Sequence, residues 1–118
     1  MKYAVIDVGS NTVRLCVYDV LCPEKRKFKT IMNRKIMAGL AAYIVDGAFS
    51  DEGIAEAILA VKKCIKRASY LSPDRIDVFA TAVLRNISNS AQAIAAIEQG
   101  AGCTISLLSN ADEAHLGF

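Results

Sequence analysis

The sequence has little of what several classes of protein require. It contains one histidine and no Cys-x-x-Cys pair, whereas a zinc site needs a cluster of such ligands. No apolar run approaches the roughly 20 residues that cross a bilayer, and a single Lys2 before a segment carrying Asp7 is not typical of a signal peptide. A net charge of +2 is small for a nucleic-acid-binding protein. We therefore expect a cytoplasmic protein that binds neither nucleic acid nor membrane.

The composition indicates a folded domain. Apolar residues make up 53% of the 118 residues and charged residues 22%, so the chain can bury a core and is not disordered. The length corresponds to one domain or part of one. The four cysteines are far apart in the sequence, which predicts reduced and mostly buried thiols. They are Cys16, Cys22, Cys64 and Cys103.

The most informative stretch is residues 4–15. It begins as an apolar run typical of a strand that is buried on both faces. Asp7 interrupts that run near its end. Because a lone buried carboxylate is costly, Asp7 should have a partner: a metal ion, a phosphate-bound water or a backbone donor.

A short polar turn follows this strand. Gly9 allows the backbone to approach a ligand closely. Ser10, Asn11 and Thr12 bring short donors, and successive N–H groups in such a turn can surround an anion. A second strand begins at Val13. By itself the pattern is also typical of an ordinary hairpin.

The remaining pattern predicts alternating strands and helices. An N-cap and an apolar stripe at helical spacing predict a helix over 51–70, and a second helix begins at Asn89 or Ser90 and ends near Gln99, with Gly100 after it. A third helix is predicted from about Asn110. The predicted strands cover residues 2–9, 13–20, 27–37, 76–80 and 103–108. Residues 21–25 are predicted to form a turn because they include Pro23, and residues 38–49 to form a loop because they show no clear period.

This order, β-β-β-α-β-α-β, predicts an α/β fold with a mixed five-stranded sheet and helices on its faces. Ligands in such folds bind at the carboxyl ends of the strands. Three polar stretches follow strand ends: Asp7 to Thr12, Thr81 to Arg85, and Ser109 to Glu113. We expect them to converge on one edge of the sheet, which is the best candidate for a site.

Three motifs resemble the Ppx/GppA family of exopolyphosphatases and guanosine pentaphosphate phosphatases. They are residues 6–15 (IDVGSNTVRL), residues 79–86 (FATAVLRN) and residues 107–116 (LLSNADEAHL). They occur in the family's order and with family-like spacing along the whole chain. The resemblance implies a ribonuclease-H-like domain of the actin-like ATPase fold group, and hydrolysis of terminal phosphoanhydride bonds.

The resemblance also assigns roles to single residues. Glu113 matches the acid that serves as the catalytic base toward water, and Arg85 matches an arginine that contacts phosphate. A carboxylate beside a phosphate can orient a nucleophilic water, and a guanidinium fork suits phosphate oxygens. The matched phosphate loop comprises Gly9, Ser10, Asn11 and Thr12. Asp7 matches the acid that lies near the metal or its waters, and the implied metal is Mg²⁺.

The family's second lobe, with its Asp-x-Gly-Gly-Gly-Ser-x-Glu loop, lies beyond residue 118. The resemblance therefore implies that residues 1–118 are an N-terminal subdomain, inactive alone, which acts together with that lobe and with Mg²⁺ bound mainly there. The substrate would be polyphosphate or guanosine pentaphosphate, and the sequence does not choose between them. It also leaves the oligomeric state open, a homodimer included.

Two alternatives remain open at this stage. Met37 and His115 stand where the family often has arginine, which removes two cations and is compatible with a non-catalytic phosphate or nucleotide sensor. An ATP-binding sugar kinase or actin-like ATPase is the other alternative. The combination of Arg85 and Glu113 argues against a sugar kinase or actin-like ATPase.

Overall fold

Five strands form one mixed sheet in the computed structural model, which describes residues 1–22, 27–80, 84 and 87–107. The order across the sheet is β3-β2-β1-β6-β7. The strands of this sheet are β1 (Lys2–Val8), β2 (Val13–Cys22), β3 (Lys27–Ile36), β6 (Arg75–Ala80) and β7 (Ile105–Leu107). Two further strands, β4 (Ile44–Val45) and β5 (Ala48–Phe49), form a separate small hairpin.

The sheet confirms the predicted fold class. β1, β2 and β3 pair antiparallel, whereas β1, β6 and β7 run parallel to one another. Parallel neighbours require a crossover, and the crossover from β1 to β6 includes a helix, as the sequence pattern predicted.

Some predicted strand boundaries were wrong. β2 continues through Leu21 and Cys22, which were predicted to form a turn, because Cys22 still pairs with Lys27. The last strand is limited to Ile105–Leu107 in the described residues, shorter than the predicted 103–108. The third helix, predicted from about Asn110, lies outside the described residues.

Helix α1 (Asp51–Ser69) matches the predicted 51–70 closely. The Ser50 hydroxyl oxygen accepts a hydrogen bond from the Gly53 N–H at 3.1 Å, which caps the first turn and contributes about 1 kcal/mol. Acidic residues lie in the first turn and Lys66 and Arg67 in the last, in the favourable orientation for the helix dipole. One face of the helix is buried against the sheet.

Helix α2 (Ser90–Ala101) is longer than predicted. Gly102, with φ of 72°, ends the helix, so the prediction that Gly100 would do so was wrong. Gly100 lies inside the helix because it packs against Ile58: a Cβ there would come within 2.7 Å of the Ile58 Cδ1. The Asn89 side chain does not cap α2. It accepts from the N–H and donates to the carbonyl of Phe49 in β5.

The hydrophobic core lies between one face of the sheet and the two helices. In β1 the alternate residues Ala4, Ile6 and Val8 are fully buried on this face. α1 contacts β1 and β2, and α2 packs beside α1. This arrangement fixes the sheet and leaves the loops at its ends to carry polar groups.

Gly53 marks the tightest point of this packing, and its replacement gives a direct test. A Cβ at Gly53 would lie 2.4 Å from Phe49 Cε1 and 2.5 Å from Tyr43 Cβ. Because Phe49 is buried and cannot move freely, we expect Gly53→Ala to lower the free energy of unfolding by about 1–3 kcal/mol. Urea unfolding would measure this loss.

Gly100→Ala is the matched comparison: its Cβ would lie 2.7 Å from Cδ1 and 3.1 Å from Cγ1 and Cγ2 of Ile58, a half-buried side chain that can shift more easily than the buried Phe49. Alanine is also a better helix former than glycine by about 1 kcal/mol. We expect Gly100→Ala to cost clearly less than Gly53→Ala. The reverse order would contradict this account of the packing.

Two of the cysteines are buried, as the composition predicted. Cys16 and Cys64 are buried, Cys103 is half-buried, and all three are free thiols. In the part of the chain that the structure describes, no helix is long and apolar enough to cross a membrane.

Candidate functional site

The carboxyl ends of three parallel strands meet at one edge of the sheet. Val8 of β1 pairs with Ala80 of β6, and Ala80 pairs with Leu107 of β7. Since neighbouring strands are about 4.8 Å apart, these three last residues span about 10 Å. The strands that precede the three predicted polar stretches therefore have neighbouring ends, at the edge where ligands bind in such folds.

Asp7 is the charged residue of β1 next to this edge. It points away from the face that carries Ile6 and Val8, because successive side chains of a strand alternate. Its Oδ1 atom is buried from solvent. In the sheet register Asp7 lies between Arg14 of β2 and Phe79 of β6. A buried carboxylate oxygen beside an exposed loop is suited to bind a cation or its water.

The loop from Gly9 to Thr12 joins β1 to β2 as a tight hairpin connection. The Gly9 N–H donates to the Thr12 carbonyl at 2.9 Å, and a Cβ at Gly9 would lie 3.2 Å from that oxygen. Among the described residues, none accepts a hydrogen bond from the N–H groups of Ser10, Asn11 or Thr12. These three amides are thus available to an external acceptor, whereas that of Gly9 is not.

The segment that follows β3 holds this loop in place. Gly39 N–H donates to the Asn11 carbonyl, and Ala41 N–H donates to the Ser10 carbonyl, both at 2.9 Å. Gly39 has φ of 60°, a conformation that favours glycine. Because the loop carbonyls are engaged on this side, they do not face an incoming anion as free acceptors.

Two residues at this edge, Gly39 and Arg14, were given no role by the sequence analysis. Gly39 lay in a stretch predicted as a loop of no clear period, and nothing local indicated its contact with Asn11. The position of Arg14 could have been found from the hairpin register, since a four-residue connection after Val8 places it opposite Asp7.

Arg85 and Glu113 lie outside the described residues, so their predicted roles stay predictions. Leu84, the residue before Arg85, is fully buried in the core. Its carbonyl accepts a hydrogen bond from the Ser90 hydroxyl at 2.5 Å, which ties this position to the start of α2.

Burial raises the pKa values of several side chains elsewhere in the fold. Burial raises the pKa of Tyr3 to about 12, with a further contribution from its hydrogen bond to Asp77. Burial likewise raises the pKa of Tyr18 to about 12, that of Cys64 to about 11, and that of Cys103 above its usual value. Tyr3 and Tyr18 pair near the opposite end of β1.

Known structures define the class of this domain. The Ppx/GppA phosphatase of Aquifex aeolicus, in its type II crystal form, superimposes with a TM-score of 0.82 at 22% identity over 93% of this chain and 36% of that chain. An exopolyphosphatase from Cytophaga hutchinsonii gives 0.85 at 26% identity over 98% and 36%. The ethanolamine utilization protein EutJ from Carboxydothermus hydrogenoformans gives 0.51 at 17% identity over 91% and 36%. The domain therefore has the actin-like ATPase fold.

A family match identifies the chain more specifically than its fold does. The model of the Ppx/GppA phosphatase family matches residues 21–118, and the chain belongs to this family. This match confirms the family that the sequence motifs indicated, and it includes the second and third motifs but not residues 6–15. The chain spans about a third of the length of the solved structures that it matches.

Proposed function

We propose that the protein containing this chain is an exopolyphosphatase that hydrolyses the terminal phosphoanhydride bond of inorganic polyphosphate or of guanosine pentaphosphate. The observation that carries the proposal is the row formed by Val8, Ala80 and Leu107. It brings the Gly9–Thr12 loop next to the strands that lead to Arg85 and Glu113. Membership of a phosphatase family supports the reaction class.

In the proposed reaction the loop binds the terminal phosphate. Its free N–H groups and the side chains of Ser10, Asn11 and Thr12 would donate hydrogen bonds to phosphate oxygens, as successive amides do in other anion sites. Because the loop is a short hairpin fixed by Gly39 and Ala41, its donors are preorganised. Such donors stabilise charge at low reorganisation cost.

Arg85 and Glu113 would supply the chemical step. Glu113 accepts a proton from water as the water oxygen bonds to the terminal phosphorus. The bond from that phosphorus to the bridging oxygen breaks, so that orthophosphate and a chain one phosphate shorter are released. Arg85 binds non-bridging oxygens and balances the charge of the transition state.

Magnesium is compatible with the residues that the structure describes. Asp7 offers one buried carboxylate oxygen next to the loop, and Mg²⁺ is commonly bound by one or two carboxylates together with waters and substrate phosphates. No group of three metal-binding side chains occurs within residues 1–22, 27–80, 84 and 87–107, so the other ligands would come from outside them. When bound, Mg²⁺ would neutralise phosphate charge.

Phosphate release by the full-length protein tests the proposal. We expect release from long-chain polyphosphate or from guanosine pentaphosphate with Mg²⁺, and loss of release when EDTA is added. ATP as a competing substrate controls for a nucleotide-specific kinase or ATPase. Release from ATP alone, or substrate binding without any release, would contradict the proposal.

A further inference from the structure

Asn89 occupies the N-cap position of α2, but its side chain is used elsewhere. Asparagine is preferred at N-caps because its side-chain oxygen accepts a hydrogen bond from the first N–H groups of the helix. Asn89 makes no such bond. Its Oδ1 accepts from the Phe49 N–H at 2.8 Å, and its Nδ2 donates to the Phe49 carbonyl at 3.0 Å. Both hydrogen-bonding groups of the side chain are therefore directed to one residue that lies 40 positions away.

Phe49 belongs to a hairpin with little conformational freedom. β4 and β5 pair antiparallel across two turn residues, Asp46 and Gly47, which have φ of 52° and 79°. Positive φ at both positions is typical of a tight type I′ turn. The Phe49 side chain is buried and anchors the hairpin in the core. The Ser88 N–H also donates to the Gly47 carbonyl at 2.9 Å, so Ser88 and Asn89 bind the hairpin together.

The same hairpin continues directly from the segment that supports the phosphate loop. Gly39 and Ala41 donate to two carbonyls of the loop. A short 3₁₀ turn follows at Leu40–Tyr43, and β4 begins at Ile44. One continuous stretch of chain therefore contacts the phosphate loop at its start and the connection between β6 and α2 at its end.

The connection between β6 and α2 is fixed on both sides of Arg85 in the sequence. Leu84 is fully buried, and its carbonyl accepts a hydrogen bond from the Ser90 hydroxyl. Ile87 is 7% exposed and belongs to the core. Asn89 is the side chain through which this connection is bound to the hairpin. The described contacts therefore relate the segment that contains Arg85 to the phosphate loop.

We propose that Asn89 is a positioning residue, which holds the connection between β6 and α2 on the hairpin and thereby sets the spacing between the phosphate loop and Arg85. The inference rests on the proposed function, because it takes the phosphate-binding roles of the loop and of Arg85 from it. Asn89 acts through Arg85 and does not contact the substrate. Positioning is important because a displacement of about 1 Å can lower a rate by about 100-fold.

A double-mutant cycle in the full-length protein tests this role. Its members are the parent protein, Asn89→Ala, Arg85→Gln and the combined variant. Asn89→Ala removes both hydrogen bonds to Phe49 without removing a helix cap. We would measure kcat and KM for polyphosphate with Mg²⁺. Affinity for tripolyphosphate, measured with EDTA present, gives a second readout that does not depend on hydrolysis.

We expect Asn89→Ala to lower kcat/KM about 10- to 100-fold when Arg85 is present. In the Arg85→Gln background the same substitution should change kcat/KM by less than about twofold, because residues that act through one another are not additive. Tripolyphosphate affinity should show the same dependence on Arg85. A merely structural role would produce equal losses in both backgrounds, and that result would overturn the proposal.

Two further variants separate positioning from stability. Ile97→Val removes one buried methyl group from α2, two turns after Asn89, and should lower the melting temperature while leaving kcat/KM within about twofold. Asn89→Asp keeps the acceptor for the Phe49 N–H and loses the donor to its carbonyl. We expect a smaller loss than in Asn89→Ala, again only when Arg85 is present. Asn89→Asp carries the test if Asn89→Ala does not fold.

The positioning role and the proposed function fail separately. If the parent protein hydrolyses polyphosphate and the two losses are additive, the positioning role is wrong and the proposed function stands. If the cycle shows coupling in tripolyphosphate affinity but the parent releases no phosphate, the positioning role stands and the proposed hydrolysis is wrong. If Arg85→Gln changes neither affinity nor release, Asn89 has no phosphate-binding group to position, and the inference is wrong.

Discussion

Replacing Glu113 by glutamine in the full-length protein should lower phosphate release from polyphosphate by at least about 100-fold, the lower range for loss of a general base. Glutamine has nearly the same shape as glutamate but cannot accept the proton of the attacking water. The fall should appear in kcat, with a small change in KM, because the substrate phosphates are bound by other groups.

Glu56→Gln is the matched control for this variant. Glu56 is an exposed carboxylate on α1, far along the chain from the candidate site, and its replacement should leave kcat unchanged. If Glu113→Gln retains the parent rate, the base assignment is wrong, although the family membership is unaffected. Equal losses in both variants would indicate a general effect of charge instead.

Replacing Arg85 by glutamine should lower kcat/KM by roughly 100- to 1,000-fold, as the loss of one transition-state donor does in other enzymes. Arg85→Lys should restore only part of the activity, because an ammonium group keeps the charge but loses the planar fork. We therefore expect kcat/KM to be highest in the parent protein, intermediate in Arg85→Lys and lowest in Arg85→Gln. This order distinguishes phosphate binding from a role in a surface salt bridge.

Arg75→Gln is the control for Arg85. Arg75 pairs with Asp77 through a 3.0 Å contact between Nε and Oδ2, and it lies at the amino end of β6, opposite the Val8 edge. Because its side chain is 66% exposed, loss of this pair should cost at most about 1 kcal/mol of stability and no activity. Full activity in Arg85→Gln would rule out the proposed phosphate contact.

Elements with a strong local pattern were predicted well. The Ser50 cap, the acidic first turn and the apolar stripe of α1 are all local in sequence, so the predicted 51–70 differs from Asp51–Ser69 by one residue. The apolar run of β1 and the polar turn at Gly9 are equally local. The mixed five-stranded sheet followed from the alternation of strands and helices, whereas the order of the strands across it came only from the structure.

Boundaries set by packing were predicted less well. Glycine is typical of a helix end, yet α2 continues past Gly100. The absence of a side chain at Gly100 leaves room for Ile58 of α1. The prediction of a turn at Leu21 and Cys22 failed for a similar reason, since pairing with β3 extends β2. In both cases a partner in another segment decides the local structure, and no single-segment pattern contains that partner.

By itself the sequence determined the α/β class, the order of strands and helices along the chain, and the family, because these depend on periodicity and on motifs that are contiguous in the chain. Only the tertiary structure decided that Gly39 and Ala41 support the phosphate loop and that Asn89 binds Phe49 instead of capping α2. The physical reason is that these contacts join segments whose separation in space is set by the register of the sheet and by the packing of the helices on it.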